Sequence, residues 1–245
     1  MSSLDQQQAQ VWCRTDTGLR RDSNQDSFLV NQDLGLYVVA DGMGGHLGGE
    51  VASSLAVKTA EEVVEQYRRS MRDSRDLLAL VYQESSRRIF EMAEQENPRL
   101  AGMGTTMVCA YTMGSSIFIG NVGDSRAYLF RKPYLWQLTE DHSLVNEQLR
   151  AGLIREDQVR QFVGRNVITR SVGFEKEVVI DVLERTVQKG DCFMLCSDGL
   201  SGLVTDRRIQ EILCASTQDQ AVNHLIQEAL ANGGDDNVTV LYLCF

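Results

Sequence analysis

A layered α+β sandwich with helices on both outer faces is the fold this sequence predicts, and three observations predict it. Short apolar runs rich in β-formers open the chain, return in its middle and close it. Stretches with apolar residues at helical spacing stand between them in pairs. Several of the apolar runs stop at an acid: Gly35 to Asp41, Ile117 to Asp124 and Phe193 to Asp198, while Asp236 stands just before the run from Val238 to Phe245. Strands that are apolar on both faces belong in one core. Acids from distant parts of the chain are therefore expected to converge on one rim, and convergent carboxylates need a cation.

In chain order, strands are expected at Val11 to Thr15, Ser27 to Asn31 and Leu36 to Ala40, parted by the polar stretch Asp16 to Asp26 and a turn at Asp33 to Gly35. The glycine-rich turn after Asp41 opens a helix whose apolar face is Ala52, Leu55, Ala56, Ala60, Val63, Val64 and Tyr67. A second helix is expected over about 75–96, capped by Asp73 or Ser74, with Leu78, Val81, Tyr82, Ile89 and Met92 inward. Both helices should cover one sheet. The runs Thr106 to Thr112, Ser116 to Val122, Arg126 to Arg131 and Tyr134 to Leu138 read as an antiparallel meander, with turns at Gly114 and Lys132-Pro133. The polar stretch Asp141 to Gly173, with short helical pieces near Leu144 to Ala151 and Glu156 to Phe162, reads as a mobile flap. Strands return at Val178 to Arg185 and Cys192 to Cys196. Thr205 starts a helix, Thr217-x-x-Gln220 reads as a capping box opening another that ends at Gly233-Gly234, and a last strand follows.

The 245 residues contain no Pro-, Gly- or Ser-rich linker, so one domain over 1–245 is expected, with the flap as an insertion at about 141–173. A formal net charge of -10 and the lack of Lys/Arg runs argue against nucleic acid or an anionic membrane as partner. No apolar run approaches the ~18 residues a membrane helix needs, and Met1 to Gln6 lacks a basic, apolar leader pattern, so a cytoplasmic monomer is expected. The six cysteines sit mostly inside apolar runs without a C-x-x-C pair, which indicates neither zinc nor a disulfide framework.

Absences narrow the chemistry. No cysteine has an arginine six residues on, no D-x-D occurs, and neither the G-K of a P-loop nor a G-x-S-x-G elbow is present. The three histidines, His46, His142 and His224, are too scattered for a histidine-built metal site. Carboxylates remain, and oxygen ligands select hard cations, Mn²⁺ or Mg²⁺. Two such ions ~4 Å apart can bridge and deprotonate a water for in-line attack on phosphorus. The phosphate oxygens then suit an arginine fork, which the segment Gly18 to Asp26 supplies beside acids.

The chain resembles the metal-dependent protein phosphatases of the protein phosphatase 2C family, in its compact bacterial form. The resemblance rests on G-x-x-R-x-x-N-Q-D at Gly18 to Asp26, D-G-M-G-G-H at Asp41 to His46, G-T-T at Gly104 to Thr106 and G-D-S-R-A-Y at Gly123 to Tyr128. It continues with L-T-x-D-H-S at Leu138 to Ser143, S-D-G-L at Ser197 to Leu200 and D-N at Asp236-Asn237. Each is weak alone; the ordered set spans nearly the whole sequence. The resemblance implies a four-layer αββα sandwich of two antiparallel sheets flanked by helices. It also implies hydrolysis of phosphoserine and phosphothreonine in proteins by a metal-bridged water or hydroxide, reversing Ser/Thr kinase signalling.

Position by position, it implies that Asp41, the Gly42 carbonyl, Asp198 and Asp236 bind a two-metal centre and that Asp124 helps hold a third ion. Arg21 matches the phosphate-binding arginine, and Asp26 orients metal-bound waters. Gln25 stands where many relatives carry glutamate, and Met43 where the animal enzymes carry a histidine proposed as general acid. Phe162-Val163-Gly164 replaces a frequent His-Pro in the flap.

Three rival readings compete with this one. Asp22-x-Asn24-x-Asp26 imitates a calcium loop, but Ser27 and Asp33 stand where glycine and glutamate are required. Gly42-x-Gly44 imitates a dinucleotide fingerprint, yet Leu47 replaces its third glycine and Asp41 would repel a pyrophosphate. A non-catalytic phosphoprotein-binding module on the same fold is expected to lack one or more of the metal acids, and here all are present.

Overall fold

A computed structural model gives the architecture of residues 9–245; residues 1–8 lie outside the described part, as do the side chains of His46, Gln95, Glu96, Pro98 and Arg160. The chain runs β1 (Gln10–Asp16), β2 (Asp26–Asn31), β3 (Leu36–Met43), α1 (Gly45–Tyr67), α2 (Ser74–Glu91), β4 (Gly104–Thr105), β5 (Met107–Met113) and β6 (Ser116–Val122). It continues with β7 (Arg126–Arg131), β8 (Tyr134–Gln137), α3 (Leu144–Arg150), β9 (Asp181–Thr186), β10 (Cys192–Cys196), α4 (Asp198–Ser201), α5 (Asp206–Ala215), α6 (Gln218–Ala231) and β11 (Val238–Cys244). One antiparallel sheet has the order β1-β11-β10-β7-β8; the other has β2-β3-β5-β6-β9, with β4 pairing to β3.

The period-two alternation of the apolar strands sorts their side chains into three cores and so makes four layers. In β3, Leu36 and Val38 face the helices α1 and α2, whereas Tyr37 and Val39 face the other sheet. In β10, Met194 and Cys196 face α5 and α6 while Phe193 and Leu195 fill the space between the sheets. Strand β11 splits likewise, Val240 and Tyr242 outward to the helices, Leu241 and Leu243 inward. Each such side chain contributes ~1.5–3 kcal/mol on burial, and the residues are 0–2 % exposed. The expected helix-covered sandwich is therefore what forms.

The expected elements recur with shifts that have local causes. Asp73 caps α2, its side chain accepting from the Arg75 N–H, and α2 ends at Glu91 in a π-turn, Met92–Glu96, instead of running on to 96. Thr205 caps α5 as expected, accepting from the Arg208 N–H. The capping box at Thr217 does not form: the Gln220 N–H, its intended donor, is taken by the Thr217 carbonyl at 3.1 Å. The return strand begins at Asp181 and not at Val178, because the Val178 carbonyl accepts from the Gln83 side chain at 2.7 Å outside any ladder.

Two expectations are overturned. The four middle strands are not a meander: β5 and β6 pair in one sheet and β7 and β8 in the other, the chain crossing between sheets through Gly123 to Ser125. A crossing there lets β7 add to β10 and completes the second sheet. Cysteines also pair: Cys192 and Cys244 are joined, S–S 2.04 Å, although 52 residues apart, because the β10/β11 register sets them directly opposite. Cys13, Cys109, Cys196 and Cys214 are free.

The stretch 141–173 carries α3 and a 3₁₀ turn, Glu156–Gln161, as expected. It is rooted by Val172, whose N–H and carbonyl bond Thr105 at 2.8 and 3.0 Å, and by bonds from Leu144 to Val167 and from Thr169 to His142. Among the described residues no helix is long and apolar enough to cross a membrane.

Candidate active site

Antiparallel register brings one set of strand ends to a common rim. Asp26 starts β2 and lies directly opposite Asp41 near the end of β3. Asp124 follows the end of β6, Asp198 follows β10 and opens α4, and Asp236 precedes β11, which is paired with β10. Close backbone approaches draw the two sheets' loops together. A side chain at Gly199 would meet the Asn237 carbonyl at 2.0 Å, so the Asp198 turn can lie against the Asp236 strand only with glycine there. Gly42 is crowded likewise, a Cβ meeting the Gly49 carbonyl at 2.0 Å and the Gln25 carbonyl at 2.8 Å.

The electrostatics show that the acids meet. Burial, then the fields of Asp26, Asp198, Asp124 and Asp236, pushes the Asp41 carboxyl well above the usual carboxylate range. Asp26 is pushed up to about 7, by burial first and then by Asp198 and Asp236, against the opposing hydrogen bonds of Thr239 and Ser197. Asp124 is pushed up to about 8 by burial and by Asp198 and Asp141. Asp198 is raised by burial and by Asp236, with Asp41, Arg21 and Arg126 acting the other way. Three carboxylate oxygens, Oδ1 of Asp26, Asp124 and Asp198, are buried without a hydrogen-bond partner among the described residues. Orphaned buried anionic oxygens are costly.

Three of the acids, Asp26, Asp41 and Asp236, are positioned by neighbouring groups. Asp26 Oδ2 accepts from Ser197 Oγ and Thr239 Oγ1, both at 2.7 Å. Because Thr239 donates to Asp26, it accepts from Thr15 Oγ1 at 2.8 Å, and Thr15 accepts from Asn24 Nδ2 at 2.8 Å, a directed relay across both sheets. The Asp41 amide donates to Thr106 Oγ1 at 3.0 Å, itself 2.7 Å from Ser125 Oγ, while Thr105 Oγ1 donates to the Asp41 carbonyl. Asp236 Oδ1 accepts from the Asn237 N–H at 2.8 Å. The Asn237 side chain binds Thr17, Ser23 and Gln25, pinning the Gly18 to Asp26 loop beside the acids.

Arg21 reaches this rim: its Nη2 lies 2.6 Å from Asp236 Oδ2 with half the side chain exposed, whereas Arg20 lies 3.9 Å from the outlying Asp235. The Gln25 amide turns away to the Gly45 carbonyl at 2.7 Å. His142 makes structural hydrogen bonds: its Nδ1 accepts from the Gly123 N–H at 3.0 Å, which leaves the ring proton on Nε2 to donate to Asp181 at 2.9 Å. Arg126 forks onto Asp141, with contacts of 2.6 to 3.0 Å, beside Asp124. Thr15, Thr106, Ser125, Arg126, Thr239 and Asn237 are not among the candidate residues marked by the sequence. Arg126, Ser125, Thr106 and Asn237 lie inside the quoted motifs, so that signal was at hand; nothing in the sequence marks Thr15.

Among the described residues, no three His, Cys, Asp or Glu side chains stand as a ready-made cage for a metal ion. Asp236 instead rests on Arg21. The donor set nonetheless fits hard divalent cations, being all oxygen, partly orphaned and mutually repelling.

Two antiparallel sheets between helical layers, with carboxylates from both sheets meeting at one rim, form the αββα architecture expected above. The chain belongs to the protein phosphatase 2C family, whose profile matches residues 19–232. It is 38 % identical to the serine/threonine phosphatase Stp of Listeria monocytogenes, over 93 % of this chain and 92 % of that protein. The crystal structure of the Mycobacterium tuberculosis serine/threonine phosphatase PstP superposes with a TM-score of 0.90 at 33 % identity, covering 97 % of this chain and 98 % of that one. The PstP catalytic domain in complex with two manganese ions superposes with a TM-score of 0.87 at 33 % identity, covering 96 % and 97 %.

Proposed function

We propose that the protein hydrolyses phosphoserine and phosphothreonine in proteins phosphorylated by a Ser/Thr kinase, as a single catalytic domain with a flap over about 141–173. The observation that carries this is the rim of repelling acids with three buried, unpartnered oxygens on Asp26, Asp124 and Asp198. In this reading Asp41, the Gly42 carbonyl, Asp198 and Asp236 hold two Mn²⁺ or Mg²⁺ ions, and Asp124 contributes to a third. When bound, the ions supply an activated water and neutralise charge on the phosphoryl group.

The chain's own residues do the rest. Arg21 exchanges its contact with Asp236 for the phosphate oxygens, which its planar fork fits in pairs. Asp26, fixed by Ser197 and Thr239, keeps Oδ1 free to accept a proton or orient water. Met43 has no titratable proton, so the leaving alkoxide must be protonated by water or another group. The thioether at that position makes no acid.

Hydrolysis of a phosphothreonine peptide with Mn²⁺, with and without chelator, tests the reading. Release of phosphate that stops with chelator and returns with Mn²⁺ is expected. An undiminished rate in chelator, or in Asp41→Ala, would overturn it.

A further inference from the structure

At the end of the sandwich opposite the acid rim lies a cavity of about 830 Å³, within the size range of small-ligand sites. It wraps the end of the β2-β3-β5-β6-β9 sheet: Tyr37 lines it from the inter-sheet side and Tyr111 from the helix side. Both tyrosines are only 2 % exposed, and neither hydroxyl has a hydrogen-bond partner among the described residues. Both phenols line the cavity, and their hydroxyls are free to donate to a polar occupant.

The wall also carries Arg68, Arg69 and Lys189 against one acidic side chain, Asp33. None of these three cations forms an ion pair among the described residues; Arg68 donates only to the Asp33 main-chain carbonyl at 2.8 Å. Elsewhere Arg75, Arg87, Arg88, Arg126, Arg131 and Arg208 each hold a carboxylate, so these three keep their charge available to an anion in the cavity. Leu34 and Phe245 give the same wall apolar surface.

We propose that this cavity binds a small amphiphilic anion, a carboxylate or phosphate carried on an aromatic or otherwise apolar body. The anion faces Arg68, Arg69 and Lys189, the phenols donate to its polar atoms, and the apolar part lies against Leu34 and Phe245. Strand β3 joins the two ends of the molecule, Tyr37 at the cavity and Asp41 at the rim. Occupancy therefore leaves the substrate's site open.

Calorimetric titration of the full chain with 2-naphthoate, using neutral 2-naphthamide as the comparison, tests this. Saturable one-to-one binding of the naphthoate is expected, with the amide at least tenfold weaker. The double variant Arg68→Gln, Arg69→Gln should bind naphthoate at least tenfold more weakly while keeping the wild-type melting temperature and its rate on a phosphopeptide. No saturable binding, equal binding of the amide, or unchanged affinity in the double variant would each overturn the proposal. Binding that appears only after removal of residues 1–8 would identify the occupant as the chain's own amino-terminal segment, and would overturn it as well.

Discussion

Asp41 and Asp198 repel their neighbours at the rim, and this gives them opposite effects on stability and on activity. Asp41→Ala or Asp198→Ala should abolish turnover with the fold kept. In chelator, each should melt at or above the wild-type temperature, because one member of a like-charge cluster has gone. Calorimetry beside a phosphopeptide assay reads both, and a variant that melts well below wild type in chelator counts against the repulsion. Arg21 is half exposed and, among the described residues, bound only to Asp236, so Arg21→Ala should raise KM about tenfold or more, the loss of one charge-assisted fork, with a smaller change in kcat. Steady-state kinetics separates the two. The acids and Arg21 were legible from the sequence because strand ends and motif order mark them. Thr15 was not, since a β-strand threonine is ordinary; only pairing of β1 with β11 sets it beside Thr239.

In the stretch 141–173, proposed above as a flap, distant parts of the chain depend on one side chain. Asp181, at the start of β9, accepts from His142 Nε2 at 2.9 Å at one root and from Arg170 Nη1 at 2.9 Å at the other. His142 in turn holds the Gly123 amide next to Asp124. Asp181→Ala should free both roots and raise amide exchange across 144–170. It should raise KM for a phosphoprotein several-fold while leaving p-nitrophenyl phosphate turnover within about twofold, since the acids themselves are untouched. Equal losses on both substrates would assign Asp181 to the chemistry and not to the flap. The helical pieces of this stretch were readable from local pattern. Its roots were not, because His142 and Asp181 are 39 residues apart and nothing local links them.

Across the whole molecule, the acid rim makes metal-free stability depend on pH. Asp26 and Asp124 carry folded-state values of about 7 and about 8, far above the unfolded carboxylate value of 3.8. The folded state thus binds more protons than the unfolded one between these limits, and stability falls as pH rises from about 4 to about 8. In chelator the melting temperature should therefore be higher at pH 5 than at pH 8. Added Mn²⁺ should raise it most at pH 8, where the ions compete with fewer protons. A profile that rises with pH in chelator would contradict the clustering. The central layer is a second whole-molecule feature: Phe193, fully buried between the sheets, should cost about 3–5 kcal/mol on Phe193→Ala, read by urea denaturation.

The sequence by itself determined the layers and the family. Period-two apolar strands such as β3 and β10 must be covered on both faces, and the acids at their ends fall in motifs whose order along the chain marks the family. Tertiary structure alone decided the split of the middle strands between two sheets, the Cys192–Cys244 pairing, the hydroxyl relay that holds Asp26, and the cation-lined cavity at the far end. These depend on which strand lies beside which. Hydrophobic alternation fixes which face of a strand is buried but is blind to its neighbour, so register and sheet membership emerge only when all the layers pack at once.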